Sequence, residues 1–155
     1  MAPVLTEIKL DFDNLTEKGL LELIMSRWRF LFRLRWPGFG RLRVRSVDVR
    51  RTRHGYHVRI IVRNNIGKRD LNFLQLALGS DFRRECLNLR RIIACHQMRV
   101  WNVLYEAKFN SRGDITSTES PDAQLSKKIA GLIKAFQKVT VLPLLFAPPR
   151  RRFAA

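Results

Sequence analysis

Ile8-Lys9-Leu10-Asp11-Phe12-Asp13 alternates apolar with polar residues along its whole length. A half-buried β-strand imposes that period of two, so Ile8, Leu10 and Phe12 face inward and the two acids outward. Downstream, Asn14 and Glu17 have capping-box spacing, and Leu20, Leu21, Ile24, Trp28 and Leu31 recur at helical intervals until Trp36-Pro37-Gly38 ends the run. Alternation returns at Arg41. Leu42 and Val44 are followed, one step out of phase, by Val47 and Val49, which predicts a bulge near Ser46. After a turn at Arg53-His54-Gly55, a third strand puts Tyr56, Val58, Ile60 and Val62 on one face and His57, Arg59, Ile61 and Arg63 on the other, so the second and third strands form a hairpin.

Asp70 is placed to cap a short helix that Gly79 breaks, and Ser80 to cap a second helix with Phe82, Cys86, Leu89 and Ile93 on one face. Arg99 to Phe109 fits either period. Read as a strand, it puts Trp101, Val103, Tyr105, Ala107 and Phe109 inward and Asn102, Leu104, Glu106 and Lys108 outward, the cleaner partition. The order strand, helix, strand, strand, helix, strand predicts an α+β domain: a ferredoxin-like βαββαβ core over residues 1–109, the plan shared by RNA-recognition-motif domains. Residues 110–120 are polar and read as a linker. Residues 121–155 follow as a C-terminal helix, striped by Leu125, Ile129, Leu132, Ile133 and Phe136, and an extended basic arm. Pro143 interrupts both helix and strand pairing in the apolar part of that arm. Residues 139–153 therefore either pack on their own domain or dock on a neighbouring subunit, the second reading implying self-assembly.

Against 13 Asp and Glu stand 30 Lys and Arg in 155 residues, a formal charge of +17 that points to a polyanionic partner, nucleic acid first. A hydrophobic fraction of 46% excludes a disordered basic tail. Arginine outnumbers lysine 22 to 8, favouring planar, bidentate phosphate contacts. The two cysteines, Cys86 and Cys95, fall in stretches that read as helix, so no disulfide framework is expected. The first residues carry no apolar run of signal-peptide length, and the most apolar stretch, Leu20 to Trp36, is broken by Glu22 and four arginines. The expectation is a cytoplasmic protein (host cytoplasm or virion, if viral) with no stable membrane insertion.

Two constellations carry chemistry. Arg41, Arg43, Arg45, Arg50, Arg51, Arg53, Arg59 and Arg63 crowd one hairpin with Asp48 as its only acid, a density that repels itself without a polyanion. They are the candidate nucleic-acid contacts, joined by Arg150, Arg151 and Arg152 on the arm. Asp11 and Asp13, about 7 Å apart on one strand face, are placed to share a divalent metal; alternatively they pair with Arg59 and Arg63, or Asp13 helps cap the first helix. His54, His57, Cys95 and His96 have zinc-ligand types without a familiar spacing.

Leu10-Asp11-Phe12-Asp13, followed by Thr52-Arg53-His54-Gly55-Tyr56-His57-Val58, resembles the first two motifs of the archaeo-eukaryotic-type primase-polymerases, as in small proteins of thermophilic archaeal viruses and mobile elements. The resemblance covers Ile8 to Arg91. It implies a palm of RNA-recognition-like fold, with Asp11 and Asp13 as ligands of Mg2+ or Mn2+ and His57 as the contact to an incoming nucleotide's phosphates. A third acid would complete the catalytic set; Asp81 and Glu106 are the candidates, and Asn88 offers only an amide. Three expectations follow: a nucleic-acid-binding palm-like domain, a metal-dependent nucleotidyltransferase, or a non-enzymatic structural nucleoprotein of a viral nucleocapsid or a ribosome, assembling through its arm.

Overall fold

The computed structural model describes residues 4–94, 101–102, 104, 107–109 and 111–139. Three long strands arise where apolar and polar residues alternate: β1 (Thr6–Asp13), β4 (Val44–Arg51) and β5 (Gly55–Val62). Between β1 and β4 lie a helical segment and a small hairpin, β2 (Arg35–Trp36) with β3 (Gly40–Arg41), which turns at Pro37-Gly38. After β5 come α3 (Lys68–Ala77) and α4 (Phe82–Ala94), then β6 (Ala107–Phe109), β7 (Ile115–Thr118), β8 (Ser120–Pro121) and α5 (Ala123–Lys138). The chain is α+β, with a four-stranded antiparallel sheet in the order β1-β5-β4-β8.

The first helical segment joins α1 (Glu17–Leu23), a π-helical stretch (Ile24–Trp28) and the short α2 (Arg29–Leu31). Leu20, Ile24, Trp28 and Phe32, spaced by four, are all buried. In a regular α-helix each four-residue step overshoots a turn by about 40°, so this row would spiral off the core. The wider π turn takes back the drift and keeps the row on one face. Trp28 stacks obliquely on Phe32 at 5.6 Å, and its indole N–H donates to the Leu78 carbonyl at 2.8 Å, tying this segment to α3.

The cap is Thr16 rather than Asn14: its hydroxyl accepts from the Gly19 N–H. Asn14 takes a left-handed backbone instead, φ 58°, and donates its own N–H to the His54 carbonyl, joining the end of β1 to the β4–β5 turn. Gly55 is obligatory at that junction, since a Cβ there would lie 1.8 Å from the Phe12 carbonyl oxygen. The bulge expected near Ser46 is present as a register shift between Val44 and Ser46.

The core gathers Ile8, Leu10 and Phe12 of β1, Val58, Ile60 and Val62 of β5, the row on the first helix, and Leu125, Ile129, Ile133 and Phe136 of α5. The C-terminal helix thus belongs to the same core as the strands and is not an appendage beyond a linker. Of the arm expected at residues 139–153, only Val139 is described; Arg150, Arg151 and Arg152 lie outside the described residues, as do Cys95, His96 and Glu106.

Two expectations need correction. Within the segment read as a fourth strand, the described strand Ala107–Phe109 pairs with β7, inside the stretch read as a linker, and the fourth position in the sheet is held by β8 beside β4. On α4, Phe82 and Ile93 point to solvent, while Glu85 and Asn88 are buried. The reason lies at the outer edge of β1, where the unpaired backbone of Lys9 and Asp11 needs partners. The Gln75 side-chain oxygen accepts from the Lys9 N–H (3.0 Å) and the Ser80 hydroxyl from the Asp11 N–H (3.1 Å). The Asp81 N–H donates to the Asp11 carbonyl (2.8 Å) and Arg84 to that of Lys9 (2.9 Å). Behind this row the buried Glu85 carboxylate accepts from Ser80, Asn72, Gln75, Asn88 and Arg84, so the inward face of α4 is polar by requirement.

Candidate functional sites on the sheet face and at the small hairpin

The register places Asp11 opposite His57, Lys9 opposite Arg59 and Asp13 opposite Gly55, so the expected acid–histidine neighbours do share the outward face of the sheet. Asp11 Oδ1 lies 3.6 Å from His57 Nε2, and the other ring nitrogen, Nδ1, is 2.6 Å from Glu119 Oε2. Glu119, between β7 and β8, is the carboxylate that completes this row. Its side chain is 2% exposed, and its second oxygen accepts from Arg50 (3.1 Å) and Arg59 (3.3 Å). Arg50 also pairs with Asp48 at 2.9 Å. Three cationic or potentially cationic groups therefore converge on one buried carboxylate.

Asp81, the proposed third acid, sits beside Asp11 through the backbone bond to the Asp11 carbonyl, but its carboxylate caps α4 by accepting from the Arg84 N–H at 2.8 Å. Burial pushes the Asp11 carboxyl above the ordinary aspartate range; His57 opposes that rise, Asp13 and Asp81 add to it, and Arg84 opposes it. Burial also lowers the Arg84 guanidinium from its usual value, against the pull of Glu85 and Asp11. Asp11 thus has the Arg84 guanidinium on one side and the His57 ring on the other. Among the described residues no group of three or more His, Cys, Asp or Glu is arranged to hold a metal ion. Asp11 is faced by the Arg84 guanidinium, and one oxygen of Asp81 is taken up by its cap.

The remaining arginines divide sharply. Arg51 is held by Asp122 (2.8 Å) and Glu17 (3.0 Å). Asp122 is also the cap of α5; accepting from the Leu125 N–H, and then from Arg51, lowers its carboxyl from the usual value. Arg45, Arg53 and Arg63 are exposed. Arg41 and Arg43 instead line a cavity of about 600 Å3 at the β2–β3 hairpin, together with Arg33, Arg35, Phe39, Gly40 and Asn64. Arg35 faces Arg41 directly across the two strands. None of the four arginines makes an ion pair among the described residues; three of them are anchored on backbone carbonyls. Arg33 donates to Phe136 (3.1 Å), Arg41 to Gln137 (2.9 Å) and Arg43 to Arg63 (2.7 Å). The first two carbonyls belong to the C-terminal turn of α5, where the helix dipole favours cations.

Arg33 and Arg35 were not among the residues expected to bind nucleic acid. A signal was there: Arg33-Leu34-Arg35-Trp36 and Gly40-Arg41-Leu42-Arg43 alternate on both sides of Pro37-Gly38. Glu119 had no such signal, lying in a stretch of Thr and Ser without apolar alternation. His54 is exposed in the β4–β5 turn and His57 is buried on the sheet face, so the two do not share a zinc site. Compared with known proteins, the chain matches no family model, no curated sequence and no solved structure.

Proposed function

We propose that this protein binds nucleic acid by its phosphate backbone, at the β2–β3 hairpin. The observation that carries the reading is Arg35 opposite Arg41 in a cavity that Arg33 and Arg43 also line and that no described acid lines. Like charges directly opposite on paired strands destabilise the pair, and four arginines around one concavity compound the repulsion. A polyanion in the cavity turns that cost into binding. Arg45 and Arg63 extend the basic surface from the neighbouring strand ends, whereas Arg50, Arg51 and Arg59 serve the fold. Phosphate contacts of this kind position the ligand and carry little sequence information.

The resemblance to a primase-polymerase palm enters as ancestry of the core. It is supported by the adjacency of β1, β5 and β4, the arrangement of the first three strands in a ferredoxin-like core, and by Asp11 facing His57. The activity that we assign is binding.

The test is the salt dependence of affinity. If the four arginines each neutralise one phosphate of a single strand, log Kd changes with log salt by a slope of roughly 3. The Arg41→Glu/Arg43→Glu double variant should lose at least tenfold in affinity at low salt and flatten that slope. Full affinity in the double variant would refute the assignment.

A further inference from the structure

The cavity at the small hairpin is shaped for more than a row of phosphates. At about 600 Å3 this open concavity has room for a small organic group such as a nucleobase, whereas a duplex would present only the convex rim of its backbone to it. It also has an aromatic wall. Phe39 lines it, and the Phe39 ring is stacked on Trp36 at 5.8 Å with the planes 15° apart. Trp36 in turn is fixed by donation of its indole N–H to the Leu31 carbonyl at 3.2 Å. An aromatic ring held by a neighbouring ring costs little entropy to use in binding.

The frame of the cavity is built in the same way. Asn64, only 3% exposed, clamps the backbone around it: its amide donates to the Phe39 and Arg41 carbonyls, each at 3.0 Å, and its oxygen accepts from the Arg43 N–H at 2.8 Å. Arg33 uses its Nε–H on α5, which leaves both of its terminal nitrogens for another acceptor, and Arg41 gives one terminal N–H to the same helix end. Three of the four guanidinium groups, those of Arg33, Arg41 and Arg43, are thus held in place around the cavity that Phe39 lines.

We infer that this cavity takes one unstacked nucleotide of a single-stranded polynucleotide, its flanking phosphates on Arg33, Arg35, Arg41 and Arg43 and its base against Phe39. This rests on the phosphate-binding reading and narrows it to single strands, since a base inside a duplex cannot reach the wall. Every base has a π-face, so the site is tolerant of sequence.

The experiment compares four labelled probes by fluorescence anisotropy over a series of salt concentrations: a short oligodeoxyuridylate, an oligouridylate, an abasic strand of the same phosphate count, and a duplex. The better of the two pyrimidine strands should bind about tenfold more tightly than the abasic strand and the duplex, and which of them is tighter names the preferred sugar. Phe39→Leu, which keeps the apolar bulk without the ring, should bring the pyrimidine strands down to the affinity of the abasic strand and so erase that tenfold gap. Equal affinity for all probes, with the slope intact, would overturn the single-strand inference and leave backbone binding standing. Salt-independent or undetectable binding to every probe would overturn both.

Discussion

The outward face of the sheet and the small hairpin carry the same side chain in opposite circumstances. On the sheet, Arg50 and Arg59 close on Glu119, and at its end Arg51 closes on Asp122 and Glu17. At the hairpin, Arg33, Arg41 and Arg43 rest on backbone carbonyls, and Arg35 meets another arginine across the strands. A carbonyl orients a guanidinium without neutralising it, while a carboxylate does both. In a chain of charge +17, arginine density therefore does not locate an anion site; the distribution of the few acids does.

The largest way to break this contrast is to remove Glu119. Glu119→Ala takes from Arg50, Arg59 and His57 the one buried carboxylate they share, and breaking such a buried pair costs about 3 kcal/mol. Urea unfolding should show that loss, while affinity for nucleic acid holds or rises because positive charge is released. An unchanged midpoint would mean that the sheet-face arginines are as available as those of the hairpin.

Asp122→Ala sharpens the same contrast at smaller scale. It deletes the cap of α5 and leaves Arg51 to Glu17, so stability should fall by about 1 kcal/mol, the usual worth of such a cap. Because the folded-state carboxyl is held below its ordinary value, its contribution is present above the unfolded aspartate range and fades as pH falls through the lowered value. The variant and parent melting curves should therefore converge in acid.

The smallest effect has the reverse sign. Asp11 is raised by burial, so its ionised form costs stability: the group's favourable contribution is complete below the unfolded aspartate range and is lost as pH rises through the raised value. Asp11→Asn should melt slightly above the parent at neutral pH and coincide with it in acid. A lower melting temperature at neutral pH would mean that the attraction of His57 and Arg84 outweighs burial. Magnesium titrated into the parent should give no calorimetric heat; binding that disappears in Asp11→Asn would reinstate the metal reading.

The three long strands were legible because Ile8–Asp13, Val47–Arg51 and Tyr56–Val62 obey a strict period of two, which backbone geometry enforces wherever one face is buried. The direction of α4 was not. Phe82, Cys86, Leu89 and Ile93 form a convincing apolar stripe, yet the helix turns Glu85 and Asn88 inward because the β1 edge needs hydrogen bonds, a demand that arises only once distant segments meet. The candidate sites divided in the same manner. Arg41 and Arg43 could be named from the chain, and Asp11 could be set beside His57; Glu119 could not, since a carboxylate in a Ser/Thr-rich stretch carries no period to say where it will land.

The side chains that cover the β1 edge reach it from far along the chain: Gln75 meets Lys9 across 66 residues, Ser80 meets Asp11 across 69, and Arg84 meets Lys9 across 75. Any species that has assembled β1, β4 and β5 but not yet docked α3 and α4 offers a bare strand edge to other chains. Such an edge is a template for intermolecular pairing, so a Gln75→Ala or Ser80→Ala substitution bears first on aggregation during refolding and only afterwards on the finished fold.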